Sequence, residues 1–173
     1  LTVKNPSLEG KTFSLPVVTH ALTHGLSVTG HIFVDPGDAI IVPDLYWDNY
    51  ELLFEEAYGG TLTTFPMFAD GAFNVPDMER LLLAPGDKKI LLLNFPNNPT
   101  GYTATHADTA AICAALRRAA EAGKRLVVIL DDAYFGLVYE PGVSKESLFT
   151  ELADMHERLL AVKEWIDKLD DFV

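Results

Sequence analysis

Cysteine is nearly absent from this sequence: Cys113 stands alone among 173 residues. An internal disulfide is therefore excluded, and the chain fits a reducing compartment such as the cytoplasm. Basic residues are scarce as well. Thirteen Lys and Arg face twenty-five Asp and Glu, a formal net charge of −12 at pH 7, with no basic stripe or cluster. That balance argues against nucleic acid or an anionic membrane as a partner. No apolar run approaches the roughly 20 residues needed to span a bilayer, and nothing after Leu1 resembles a signal peptide. The fingerprint G-x-G-x-x-G never follows a strand-like run, which weakens a hydride-transferring nucleotide domain. His20, His24, His31, His106 and His156 show no paired ligand spacing with Cys113, which weakens a zinc site. Cys113 itself lies in an Ala-rich helical stretch and reads as a structural thiol. Repeats and low-complexity tracts are missing too.

What the sequence does have is material for one ordinary domain with a real core. Its organising stretch is RLVVILDDAYFGLVY, residues 125–139. Residues 126–130 are all apolar without polar alternation, the pattern of a strand buried on both faces in the middle of an α/β sheet. The strand ends in Asp131 and Asp132, followed by Ala133 and Tyr134. Carboxyl ends of parallel strands are where open α/β sheets bind ligands, so these groups are placed to face a pocket. Capping of a following segment is the competing reading.

A second apolar run, residues 90–93, leads into NFPNNPTGY, residues 94–102. Pro96 and Pro99 fix φ on either side of Asn97 and Asn98, so the Asn98 amide is aimed rather than floppy. With NNPTG at residues 97–101 and D-x-A-Y at residues 131–134, the chain resembles the fold type I pyridoxal-phosphate enzymes, specifically the class I/II aminotransferases. The two motifs together, in the family's order and separation, carry the resemblance. It implies a three-layer α/β sandwich around a mostly parallel central sheet, the large domain of the aspartate aminotransferase type.

Between these landmarks the expected elements follow from local pattern. LPVVT, residues 15–19, reads as a first buried strand, and residues 21–33 as a helix with Leu22, Leu26 and Ile32 at helical spacing. A turn holds D-P-G-D at residues 35–38, and residues 39–42 form the next strand. An amphipathic helix runs to about Tyr58, then a strand at residues 60–65, a loop at 68–75 and a short helix at 77–84 started by Pro76. Lys88 and Lys89 read as a solvated strand start. Residues 105–122 form the clearest helix, with Ile112, Leu116 and Ala119 on one face and Gly123 as its stop. Another helix is expected at 145–155 and a last strand at 159–162.

The resemblance also implies a set of cofactor contacts. Aligned from F-x-D-P-G-D at residues 33–38, Ala21, Leu22 and Thr23 fall where the family holds the cofactor phosphate, at a helix N-terminus. Many relatives carry Ser or Gly at the first two of these, so here the Thr23 hydroxyl and main-chain donors remain. His24 reads as a surface or supporting group. Trp47 matches the aromatic residue that stacks on the cofactor ring, with simple core packing and Tyr46 or Tyr50 at the ring as the alternative. Asp131 would pair with the ring nitrogen, Asn98 and Tyr134 would hold the neighbouring oxygen, and Asp132 would point away along the pleat.

The group that makes and breaks bonds is harder to find. The family uses a lysine joined covalently to the cofactor, preceded by Ser or Thr and followed by glycine and arginine. This chain ends EWIDKLDDFV. Lys163 closes the last strand, and Lys168 stands at about the right distance but among acidic and apolar residues that suit a solvated helix. Lys168 is the candidate catalytic residue. The arginines that answer phosphate and substrate carboxylate are missing as well. Residues 1–163 therefore read as the central part of a cofactor domain of a longer protein and residues 164–173 as a tail outside the match. The start at Leu1 points the same way.

The expected function is amino transfer between an amino acid and a 2-oxo acid, with pyridoxal 5′-phosphate as cofactor, in a homodimer of a biosynthetic, cytoplasmic enzyme. Two other readings stay open: a noncatalytic cofactor-binding or scaffold domain, and a lyase or acyl transferase using the same cofactor.

Overall fold

The computed structural model describes residues 1–164. Its frame is a five-stranded sheet of β1 (Ala39–Pro43), β2 (Thr61–Phe65), β5 (Lys88–Asn94), β6 (Arg125–Asp131) and β7 (Leu159–Glu164), in the order β2-β1-β5-β6-β7. Every neighbouring pair is parallel. Helices α1 (Ala21–Phe33), α2 (Val75–Leu83) and α3 (His106–Glu121) cover the faces, with a short helix α4 (Phe149–Leu152) before β7.

Both faces of the sheet are buried, which explains the absence of polar alternation in its central strands. Leu91, Leu93, Leu126, Val128 and Leu130 join the cluster packed with Met78 and Leu82 of α2 and Ile112 and Leu116 of α3. Ile90, Leu92 and Ile129 go to the opposite face, against Leu22 and Leu26 of α1 and against Tyr50 and Phe54. Because side chains alternate along a strand, Asp131 continues the α1 side and Asp132 the α3 side.

Helix α3 starts where its residues dictate. The Thr105 hydroxyl accepts from the Asp108 amide at 3.1 Å, and the Asp108 carboxylate accepts from the Thr105 amide at 3.1 Å. This reciprocal capping satisfies donors that the first turn cannot pair internally. Gly123, at φ 92°, turns the chain out of the helix in a conformation that costs glycine little.

Several expectations need correction. Residues 15–19 form no strand: Leu15, Val17 and Val18 are exposed, Val18 at 94%. The run is apolar enough for a strand but pairs with none of the described strands, and Pro16 offers no amide donor. The helix expected at 145–155 shrinks to Phe149–Leu152, because the preceding residues form turns around the buried Ser147. The loop at 68–75 contains a two-stranded hairpin, β3 (Phe68–Ala69) and β4 (Ala72–Phe73), and its end already starts α2, capped by Asn74. The helix before Tyr58 is a single π-helical segment, Glu51–Glu56. Lys88 is not simply solvated: its ammonium donates to Asp35 at 2.9 Å and Asp38 at 2.5 Å, tying β5 to the turn before β1.

Among the described residues no helix is long and apolar enough to cross a membrane, and no cluster of His, Cys, Asp or Glu could hold a metal ion. Burial pushes the Cys113 thiol up to about 11, so at neutral pH it is protonated and poorly nucleophilic.

Candidate active site

The parallel register sets Asn94, the last residue of β5, beside Asp131, the last of β6. The Asn94 side chain uses both ends to join the two strand exits. Its amide donates to the Asp131 carbonyl at 2.7 Å, and its oxygen accepts from the Asn98 backbone amide at 2.7 Å. Asn97 then folds the loop: its side chain donates to the Leu45 carbonyl at 3.1 Å and accepts from the Thr100 amide and hydroxyl at 3.1 and 2.6 Å. The two asparagines thus secure the loop to β6 on one side and to the exit of β1 on the other.

At these strand exits lies a cavity of about 190 Å³ lined by Leu22, Thr23, Trp47, Asn94, Asn98, Asp131, Ala133 and Tyr134. All the residues singled out in the sequence converge there except two. Ala21 lies just outside the lining, at the first position of α1, with a left-handed φ of 62°. Lys168 lies outside the described residues. Asp131, Asn98 and Tyr134 share one hollow, as the sequence reading requires.

Asp131 is the electrostatic centre. It is 3% exposed, and no cation sits within ion-pair distance of it among the described residues. One carboxylate oxygen accepts from the Tyr50 hydroxyl at 2.5 Å and the other from the Ala133 amide at 3.0 Å. Burial raises its proton affinity above that of an ordinary carboxyl; those two donors pull it back, and the charge of Asp132 adds to the rise. A buried carboxylate in this state gains most from a cationic partner. The Asn98 side-chain amide and the Tyr134 hydroxyl, also facing the cavity, have no hydrogen-bond partner among the described residues. Among the described residues no side chain caps α1.

On the other face Asp132 forms a buried ion pair with Lys163, whose ammonium also sits 4.5 Å from the centre of the Phe135 ring. The Ser147 hydroxyl donates to the same carboxylate at 2.6 Å. Burial lowers the proton affinity of Lys163 and raises that of Asp132. Lys163 is thus committed away from the cavity that Asp131 faces.

Sequence reasoning missed two members of the site. Asn94 was read only as the start of a loop, although its place in register with Asp131 follows once the two runs are paired. Tyr50 was read as a possible ring-stacking group. It is instead fully buried behind Asp131, held by Trp47 edge-on at 5.6 Å and by Phe54 at 6.1 Å.

The sheet, its helices and the strand-end cavity define an open α/β domain with a pocket at the carboxyl ends of its strands. The sequence pattern of the family described as "Aminotransferase class I and II" matches residues 11–163. The chain belongs to that family, which depends on pyridoxal phosphate. It is 29% identical over 124 residues to an aspartate aminotransferase of Musicola paradisiaca, covering 71% of this chain and 29% of that protein. A probable aspartate/prephenate aminotransferase of Thermus aquaticus is 34% identical over 110 residues, covering 62% and 26%. Among solved structures, an aminotransferase from Anaerococcus prevotii superposes with a TM-score of 0.75 at 27% identity, covering 84% of this chain and 37% of its own. The chain therefore spans under a third of the length of these curated relatives.

Proposed function

We propose that this chain is the cofactor-holding part of a pyridoxal-phosphate-dependent aminotransferase, which moves an amino group between an amino acid and a 2-oxo acid. The observation that carries the reading is the buried Asp131, without a cation within ion-pair distance among the described residues, sharing a cavity with the Asn98 amide and Tyr134 phenol. When bound, pyridoxal phosphate supplies an electron sink for charge developing at the substrate Cα. Asp131 is suited to hold a proton on the ring nitrogen, since a charge pair is strengthened where water is excluded. Asn98 and Tyr134 are suited to hold the ring oxygen, and Trp47 to cover one face of the ring. The amides at the start of α1, with the Thr23 hydroxyl, are suited to an anionic phosphate. Substrate is an amino acid and a 2-oxo acid, as family membership and the relatives' names support. The homodimer, the biosynthetic role and the cytoplasmic setting rest on the resemblance and, for the last, on the lone cysteine. The strong negative charge supports the absence of a nucleic-acid partner.

The covalent lysine is tested directly. Pyridoxal phosphate is mixed with the protein, the visible band is recorded, borohydride is added, and the fixed label is mapped by peptide mass. Catalytic attachment expects the label on Lys168. A label on Lys163 contradicts the geometry above, and retained binding with no fixed label assigns this chain a holding role only.

A further inference from the structure

Tyr50 is buried without being part of the cavity lining, and core packing alone does not explain its hydroxyl. A phenylalanine would fill the same space between Trp47 and Phe54, yet the phenol is aimed at one oxygen of Asp131, 2.5 Å away. The Tyr50 amide donates to the Trp47 carbonyl at 2.9 Å, so one turn carries both the indole that lines the cavity and the phenol behind the carboxylate. From this geometry we propose that Tyr50 is a positioning residue: it keeps Asp131 ionised and fixes which carboxylate edge meets the cofactor nitrogen. The inference rests on the cofactor reading above for its consequence, though not for its physical basis.

Burial and the neighbouring Asp131 push the proton affinity of Tyr50 far up, so the phenol remains a donor at any working pH. Asp131 is drawn toward its protonated form by burial, and a neutral carboxylic acid is a poor partner for a heterocyclic cation. The phenol and the Ala133 amide, one on each oxygen, oppose that drift. The other charged groups facing this region work against ionisation. Asp132 follows directly, and Glu164 lies beside Asp131 in the β6–β7 register with its carboxylate bound by the Thr29 hydroxyl at 2.5 Å. Without the phenol, the Ala133 amide alone would balance them.

The test uses the 173-residue chain labelled with carboxyl-¹³C aspartate. The Asp131 resonance is assigned by its loss in Asp131→Asn, and its titration is followed in wild type and Tyr50→Phe without cofactor. The proposal expects the midpoint to move upward in the variant; coincident midpoints overturn it. In parallel, pyridoxal phosphate is titrated against wild type, Tyr50→Phe, Asp131→Asn and the double variant. Loss of a hydrogen bond to a charged group predicts affinity about tenfold weaker in Tyr50→Phe. The same change in the Asp131→Asn background should do nothing more, whereas an equal further loss marks a merely structural tyrosine and overturns the proposal. Binding to none of the four proteins sinks the cofactor reading, while the carboxyl titration still decides the role of Tyr50. Should Tyr50→Phe fail to fold, ring-labelled tyrosine in wild type replaces it. The Tyr50 resonance must then track the Asp131 midpoint, and one that does not move overturns the proposal.

Discussion

At the scale of single residues, two adjacent aspartates at one strand end have opposite partners. Asp131 faces the cavity and has no cation within ion-pair distance among the described residues; Asp132 faces the other core with Lys163 and Ser147. The buried ion pair makes a stability prediction. Lys163→Met leaves the Asp132 charge unpaired in the interior and should cost about 3–5 kcal/mol in urea unfolding, while replacing both partners by apolar residues should cost far less. A loss below 1 kcal/mol in the single variant would show that Asp132 accepts a proton instead. The opposition of the two acids was legible in the sequence, since adjacent strand residues face opposite ways. The partners were not, because Lys163 and Ser147 are brought to Asp132 by β7 pairing and by a turn with no sequence pattern of its own.

Elements show a similar division between what is local and what needs the assembled fold. Helix α3 was readable from end to end, because its start is set by Thr105 and Asp108 and its stop by Gly123, all local effects. Thr105→Ala should therefore destabilise the protein by about 1 kcal/mol, measured by chemical unfolding, with unchanged cavity contacts. The central strands were readable for the same reason: unbroken apolar runs need two covered faces. Residues 15–19 looked equally strand-like, yet strand formation needs a hydrogen-bonded neighbour, and these residues pair with none of the described strands. Residues 145–155 failed as a helix because Ser147 is held by long-range bonds: its amide donates to the Asn5 side-chain oxygen at 2.9 Å, and its hydroxyl donates to Asp132. Such contacts join residues far apart in sequence and leave no periodic trace.

For the molecule as a whole, the site and its support make opposing demands. The folded state binds a proton on Asp131 more tightly than the unfolded chain does, because burial raises its proton affinity. By linkage, the stability from that group is fully present below the ordinary carboxylate range and is lost as pH rises through the folded value. Glu164, raised mainly by burial, acts in the same direction. Ionising Asp131 in the folded protein therefore costs stability, and under the proposed function the counter-ion that offsets this cost comes with the ligand. Sequence motifs located this acid and its cavity, since strand ends and turn residues are local signals. They gave no hint of the electrostatic tension, which depends on Tyr50 and Glu164 arriving from elsewhere in the fold.

Asp131→Asn separates these demands, and a paired measurement at pH 7.5 reads both: thermal unfolding without ligand, and titration with pyridoxal phosphate. Asp131→Asn is expected to melt at a higher temperature than wild type in the absence of ligand, yet to lose most of its affinity for the cofactor. A variant that melts no higher and binds pyridoxal phosphate as tightly as wild type would contradict that expectation.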